Sequence, residues 1–264
     1  MQHRIIHVKS VELPEIKEIS KTQPFSWLAA GWRDFTRSPM LSLGFGALVA
    51  LAFYGCTLLA MATDWYDVVI SLASGFVLLG PFLAVGLYEI SRLIEKGESI
   101  DMLKVLFAWR RNTRQILAMG LMLMLIMLAW IRLVTLAYPV MLREGGPVAL
   151  SSLSSFLDTL TSVEGWAFLA MFFASGLIVA ALVFSFTVVA LPMLLDHPEK
   201  DAISALLISY EAVRENMMPM FIWAVIIALL TAVGIATMYI GMFVIFPILG
   251  HASWHAYRQT IGSW

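Results

Sequence analysis

The chain has 264 residues, of which 60% are hydrophobic and 13% are charged, and its net charge is −1. Soluble domains average roughly 45–50% apolar and about 25% charged residues, so too few polar side chains are present to cover a water-soluble protein of this length. The balanced charge excludes a general electrostatic attraction to nucleic acid. The single cysteine, Cys56, excludes an intramolecular disulfide and a multi-cysteine metal site.

Six apolar stretches are long enough to be membrane-spanning helices, each of which needs about 20 mostly apolar residues. We predict spans at about 40–62, 67–90, 116–138, 166–194, 218–238 and 241–257, within a membrane domain of residues 25–258. Residues 1–24 and 259–264 are expected to form tails outside the membrane. The predicted fold is therefore all-α, a polytopic membrane protein with six transmembrane helices.

The basic residues predict how these spans are oriented. Of the 17 Lys and Arg residues, 15 lie before span one, between spans two and three, between spans four and five, or after span six. Because cytoplasmic loops are enriched in Lys and Arg, both termini are expected to be cytoplasmic. Residues 1–39 contain no continuous apolar core of a secretory signal, which favours insertion through the first span into an inner membrane.

Three of the stretches placed in the cytoplasm have apolar side chains at helical spacing with basic residues nearby, which is typical of helices that lie on a membrane surface. Their apolar residues are Phe25, Leu28, Trp32 and Phe35; Met102, Leu103, Leu106 and Trp109; and Ile203, Leu206, Leu207, Tyr210 and Val213. Each such stretch precedes two predicted spans. The sequence therefore predicts three pseudo-repeated hairpins, each preceded by a cytoplasmic interfacial helix.

The second span of each repeat contains a proline, at Pro81, Pro192 and Pro247. Proline inside a helix removes a backbone hydrogen bond, so each of these spans is expected to break or kink. Broken helices line binding sites in some transporters, but close helix packing around a kink is the commoner role and is favoured here.

Three segments of the chain resemble a known family. They are residues 27–35 with Pro39, residues 80–92 (GPFLAVGLYEISR) and residues 247–258 (PILGHASWHAYR). Through them the chain, from about residue 26 to residue 258, resembles a family of bacterial integral-membrane proteins catalogued as domain of unknown function 2189. Some members of that family are loosely labelled cytochrome c oxidase subunit I. The resemblance implies a multi-pass protein of the bacterial inner membrane, and it supplies no activity and no functional residues.

Five polar residues at the predicted cytoplasmic ends of spans two and six form a candidate polar cluster: Glu89, Arg92, His251, His255 and Arg258. Aligning the repeats matches Glu89 with His255 and Arg92 with Arg258. The cluster could relay protons or a substrate. An ion pair between Glu89 and Arg92, three residues apart on one helix, is the simpler explanation and is favoured.

Two further features have both a functional and a structural interpretation. His251 and His255 lie four residues apart on one helix face and are weak candidates for a metal or haem pair, whereas hydrogen bonds to neighbouring helices are the favoured role. Arg132 is the one charged residue inside predicted span three. It could act as a gate or contact an anion, but the favoured role is an anchor whose side chain reaches the non-cytoplasmic surface of the same membrane.

The sequence contains no phosphate-binding loop, HExxH, GxSxG or dinucleotide motif, so enzymatic activity is not expected. The leading hypothesis is a non-enzymatic scaffold or assembly factor for a membrane complex, such as a respiratory one. A small-molecule or ion transporter or channel is the alternative, and a haem- or metal-binding membrane protein is the second alternative. The expected partners are the lipid bilayer and a membrane protein or a second copy of the chain, with no nucleic acid and no cofactor.

Overall fold

The computed structural model describes residues 14–63, 74–75, 77–141 and 161–262. Within these ranges the regular elements are helices, and the one β-contact is an isolated bridge between Ile16 and Ile261. The helices are α1 (Gln23–Arg37), α2 (Pro39–Thr63), α3 (Gly80–Leu83), α4 (Val85–Glu95), α5 (Met102–Leu106), α6 (Thr113–Met141), α7 (Val163–Thr187), α8 (Ala190–Asp196), α9 (Ala202–Glu215), α10 (Met217–Ala236) and α11 (Met242–Thr260), with a 3-10 helix at Ala108–Asn112 before α6. The all-α prediction is confirmed.

Four helical stretches of the described chain are long and apolar enough to cross a membrane. They are Pro39–Leu59, Ala108–Ala137, Gly165–Asp196 and Met217–Ala236. They coincide with predicted spans one, three, four and five. Of predicted span two, residues 67–73 and 76 lie outside the described residues. Predicted span six corresponds to α11, whose second half is polar.

Prolines explain where two of the helices are interrupted and why a third makes a close contact. Pro81 lies in the first turn of α3, where a missing backbone N–H costs nothing. The break between α7 and α8, at Val188 and Val189, begins four residues before Pro192, at the carbonyl with which a proline ring clashes. Pro247 lies inside α11 and leaves the carbonyl of Phe243 without its helical partner. Gly46 of α2 packs directly on the Phe243 backbone, so this turn is a point of close helix contact.

The helix α11 is central to one end of the bundle, where it contacts α1, α2, α4, α8 and α10. It also approaches α1 closely. A Cβ atom added at Gly31 would lie 2.6 Å from the carbonyl oxygen of Ile248 and 2.8 Å from the backbone nitrogen of Ala252. Trp27, one turn earlier, is fully buried and donates its ring N–H to the side-chain oxygen of Gln259 at 2.8 Å. The missing side chain at Gly31 therefore lets α1 lie directly on α11.

The end of the predicted N-terminal tail is held against the C-terminal end of the chain. The Ile16–Ile261 bridge is flanked by backbone hydrogen bonds from Lys17 to Thr260, at 2.9 Å, and from Gly262 to Glu15, at 2.8 Å. The side chain of Asn216 accepts from the backbone of Ile19 at 2.8 Å. The two ends of the described chain consequently lie on the same side of the bundle.

The predicted surface helices expose only part of their predicted apolar face. In α1, Phe25 and Trp32 are 59% and 51% exposed, whereas Phe35 of the same predicted face is buried, as are Gly31 and Asp34. The same holds in α9, which exposes Ile203, Leu207 and Tyr210 and buries Ala205, Ile208, Ser209 and Ala212. The third stretch ends its α-helix at Leu106 and continues as the 3-10 helix. Large apolar side chains that point away from the protein are what a helix at a membrane surface needs.

A matched pair of glycine substitutions tests the packing of α1 on α11. Gly31→Ala places a Cβ against backbone atoms and is expected to lower the free energy of unfolding by about 1–3 kcal/mol, the usual cost of overpacking. Gly44→Ala meets no atom within 4 Å of its new Cβ and serves as the control. Its helical propensity should leave stability unchanged or raised. Equal melting temperatures of the two variants in detergent micelles would exclude this packing.

Candidate functional site

Polar side chains from four helices meet beside the α1–α11 contact and form what we call the buried polar network. Its members are Asp34 of α1, Ser38 at the junction of α1 and α2, Ser42 of α2, Ser91 of α4, and His251 and His255 of α11. All except His255 are buried. The network is therefore a contact between helices rather than an exposed polar surface.

Hydrogen bonds run through the network from α2 to α4. The Ser38 and Ser42 hydroxyls lie 3.1 Å apart, and the Ser42 hydroxyl lies 2.9 Å from Nε2 of His251. On the other side of the ring, Nδ1 lies 2.8 Å from the Ser91 hydroxyl. His251 thus uses both ring nitrogens to join α2 and α4 to α11.

The network ends on the carboxylate of Asp34. Nε2 of His255 lies 2.8 Å from Oδ2 of Asp34. Burial by itself raises the pKa of Asp34, but the hydrogen bond with His255, the nearby Ser91 hydroxyl and the electrostatic attraction of His255 and His251 together outweigh it and hold the pKa below its ordinary value of 3.8. Asp34 is therefore an anion at neutral pH.

An ionised carboxylate can only accept hydrogen bonds, so Nε2–H of His255 donates to Asp34. The Ser38 hydroxyl donates to the backbone carbonyl of Asp34 at 3.1 Å. His251 can donate from one ring nitrogen and accept at the other, and a serine hydroxyl can do either, so both contacts of His251 are hydrogen bonds.

Glu89 and Arg92 form a separate, buried ion pair on α4. Nε and Nη2 of Arg92 lie 2.8 and 2.7 Å from the two carboxylate oxygens of Glu89, and the two side chains are 5% and 3% exposed. Arg111 approaches the same carboxylate at 3.9 Å and donates its Nε–H to the carbonyl of Leu195. The bidentate geometry compensates for the cost of removing both charges from water.

Arg258 belongs to a third group, which joins α11 to α4 and α8. Its guanidinium lies 3.0 Å from Glu95 and 3.3 Å from Asp196. Trp254 and Tyr257, from the same helix, donate to the same two carboxylates at 2.9 and 3.1 Å. Glu95 and Asp196 thus accept four hydrogen bonds from one face of α11.

The five residues predicted as one polar cluster are distributed over these three groups. Glu89 and Arg92 pair with each other, whereas His255 and Arg258, which the repeat alignment matches to them, bond to other helices. Sequence reasoning missed the acceptors Asp34, Glu95 and Asp196 and the hydroxyls of Ser42 and Ser91. One signal was available: Trp27, Gly31 and Asp34 recur at helical spacing and form a face of their own.

The remaining predicted residues lie apart from the three groups. Arg132 is exposed on α6, on the outer surface of the protein. Pro192 is buried in α8, and Pro247 is buried in α11. Pro81 lines a cavity of about 140 Å³ between α2, α3, α4, α10 and α11, whose walls are mainly apolar and include Phe53, Tyr88 and Phe246.

The histidines have no metal-like arrangement in the described residues. His251 bonds to Ser42 and Ser91, and His255 bonds to Asp34, so the two rings face different partners. Among the residues that the structure describes, no group of three His, Cys, Asp or Glu side chains is placed to hold a metal ion.

Residues 68–196 match the model of a family described as a predicted integral membrane protein, DUF2189. Over this segment the chain is similar to that family. The matched segment contains Glu89, Arg92 and Arg111 and, of the three segments that carry the resemblance, the one at residues 80–92. No curated protein and no solved structure matches the chain. Together with the four apolar helices, the family match identifies an integral membrane protein of unknown function.

The buried Glu89–Arg92 pair has an exposed counterpart with the same spacing, Glu211 and Arg214 on α9, which allows a matched test. Glu89→Gln leaves the Arg92 charge buried without its carboxylate and is expected to lower the free energy of unfolding by about 3–5 kcal/mol. Glu211→Gln removes a pair whose arginine is 61% exposed and should cost at most about 1 kcal/mol. Denaturant titration of both variants in micelles measures the difference, and equal small losses would show that the Glu89 pair is solvated.

Proposed function

We propose that this protein is a non-enzymatic scaffold or assembly factor for a membrane complex, and that it resides in the inner membrane of a bacterial cell. The observation that carries the proposal is that the polar side chains at the candidate site bond to one another across helices. Such a site stiffens the bundle. Its proposed partners are the lipid bilayer and another membrane protein or a second copy of the chain, without nucleic acid or cofactor.

The cavity supports a scaffold better than a carrier. A carrier of a polar solute needs polar groups near the middle of the membrane to replace the water around its substrate. The cavity beside Pro81 is small, about 140 Å³ against roughly 300–1,000 Å³ for typical ligand sites, and its walls are mainly apolar. Its polar lining residues are Tyr88, Thr231 and Ser253, and the Ser253 hydroxyl donates to the carbonyl of Leu249 in its own helix.

The outward-facing surface of the apolar helices also supports a scaffold. In the most apolar windows of α2, α6 and α10, only 28%, 22% and 22% of the residues are buried within the protein. Most of their surface is therefore available to lipid or to the helices of another protein. Helix association in lipid depends on packing and hydrogen bonds rather than on the hydrophobic effect, so such faces can bind partner helices.

The proposed topology has six spans as three hairpins, with both termini in the cytoplasm. Three observations support it. The two ends of the described chain lie together, and the Lys and Arg residues are concentrated in the segments at that end. Helix interruptions near Pro81 and Pro192 fall in the second span of the first and second hairpins.

A cavity-filling variant distinguishes the scaffold from a carrier. Gly80 lines the cavity, and a Cβ atom there meets nothing within 4 Å, so Gly80→Leu fills the space without a backbone clash. In a strain that lacks the protein, we expect loss of one assembled membrane complex on native gels, restored equally by the wild type and by Gly80→Leu. The same complex should co-purify with the tagged chain in mild detergent.

Two outcomes would contradict the scaffold. The first is that the folded Gly80→Leu protein fails to restore the strain's phenotype, whereas the wild-type protein restores it and purifies without a partner. That result would show that the cavity is used and would indicate a carrier. A Soret absorption band in the preparation from haem-replete cells would indicate haem binding.

A further inference from the structure

A wide groove opens where α4 ends and the 3-10 helix begins, on the matched family segment. Its volume is about 830 Å³, within the roughly 300–1,000 Å³ range of small-molecule sites. Five basic side chains line it, together with two acidic and two apolar ones: Arg92, Lys96, Lys104, Arg110 and Arg111; Glu89 and Glu98; Leu103 and Phe107. We call it the basic groove.

The basic groove has more positive charge than its own carboxylates neutralise. Glu89 is paired with Arg92, and the carboxylate of Glu98 lies 3.9 Å from the ammonium group of Lys104. Among the described residues, neither Lys96 nor Arg110 forms an ion pair, and both are exposed. Because Glu89 and Glu98 are the only acidic side chains in the lining, a net positive charge of about three faces the opening. An anion is the ligand that this charge favours.

The same groove also exposes apolar surface. Leu103 is 65% exposed and Phe107 is 40% exposed, and both belong to its lining. The guanidinium of Arg110 lies 4.2 Å from the centre of the Phe107 ring and 5.5 Å from that of Trp109, so cation–π contacts hold its charge at the apolar edge. A site with cations on one side and exposed apolar groups on the other fits an amphiphile better than a free ion.

The position of the groove favours a lipid as that amphiphile. The helix α5 exposes Met102, Leu103 and Leu106, which is the pattern of a helix lying on a membrane surface. The headgroups of anionic lipids gather at this depth, and basic pockets at the cytoplasmic ends of membrane helices recognise them. The phosphate of a lipid and the cations of the groove would then lie at one level.

We propose that the basic groove binds the phosphate of an anionic phospholipid, with Lys96, Arg110 and Arg111 around the phosphate and with Leu103 and Phe107 against the lipid's glycerol and upper acyl chain. Arg92 stays paired with Glu89 and forms the floor. Arg111 is fixed by its bond to the carbonyl of Leu195, so one cation is already oriented before the ligand arrives.

The test compares lipids on the purified full chain in dodecyl maltoside. Phosphatidylglycerol is expected to raise the melting temperature in a saturable way, because a ligand that binds the folded state stabilises it. Phosphatidylcholine is expected to leave the melting temperature unchanged. In Lys96→Gln/Arg110→Gln, the apparent Kd for phosphatidylglycerol should rise about 25-fold, since each basic residue at a membrane surface contributes about fivefold. Arg33→Gln/Arg37→Gln removes two exposed charges from α1 and should leave the Kd unchanged.

A second readout uses the unmodified protein. Phosphatidylglycerol should protect Lys96 and Lys104 from amine acylation, mapped by mass spectrometry, while exposed Lys21 stays reactive. Equal stabilisation by both lipids, or equal loss of affinity in the two double variants, would overturn the proposal. Stabilisation by inorganic phosphate alone, with the same protection of Lys96, would replace the lipid by a soluble anion.

Discussion

The close approach of α1 to α11 at Gly31 is the constraint on which the rest of this end of the bundle depends. With no side chain at Gly31, α1 lies directly on the backbone of α11. That contact brings Asp34 within reach of His255. One turn earlier on α11, His251 bonds to Ser42 of α2 and to Ser91 of α4, so the same part of α11 holds α1, α2 and α4. A wider spacing of α1 and α11 would leave a buried anion without donors.

Polar bonds are an effective way to hold such a bundle together, because its apolar surface faces outward. In lipid there is no hydrophobic gain from bringing apolar helices together, so close contacts between small residues and hydrogen bonds must supply the association. The protein has both: Gly31 and Gly46 allow backbones to touch, and the three polar groups join α1, α2, α4, α8 and α11. Phe25 and Trp32 of α1 and Ile203 and Leu207 of α9 accordingly face outward, whereas Trp27, Phe35 and Ile208 are buried together with the small residues of these helices.

The sequence could predict what depends on local composition and spacing. Four apolar spans follow from hydropathy, and the Glu89–Arg92 pair follows from its three-residue spacing on one helix. The partners of His255 and Arg258 could not be predicted, because Asp34 lies 221 residues from His255 and nothing in local spacing connects them. Asp34 also lies on a helix whose predicted apolar face is defined by Phe25 and Trp32, away from Asp34. The split between α7 and α8 was foreseeable from Pro192, but the extension of α11 to Thr260 was not.

The most direct measurement is a double-mutant cycle on Asp34 and His255, followed by denaturant unfolding of the full chain in micelles. The single variants are Asp34→Asn and His255→Ala, and their combination completes the cycle. Since the two groups share a partly buried, charge-assisted hydrogen bond, we expect a coupling free energy of about 1–3 kcal/mol. Losses that add within about 0.5 kcal/mol would show that the two side chains do not interact, and would contradict the packing of α1 on α11.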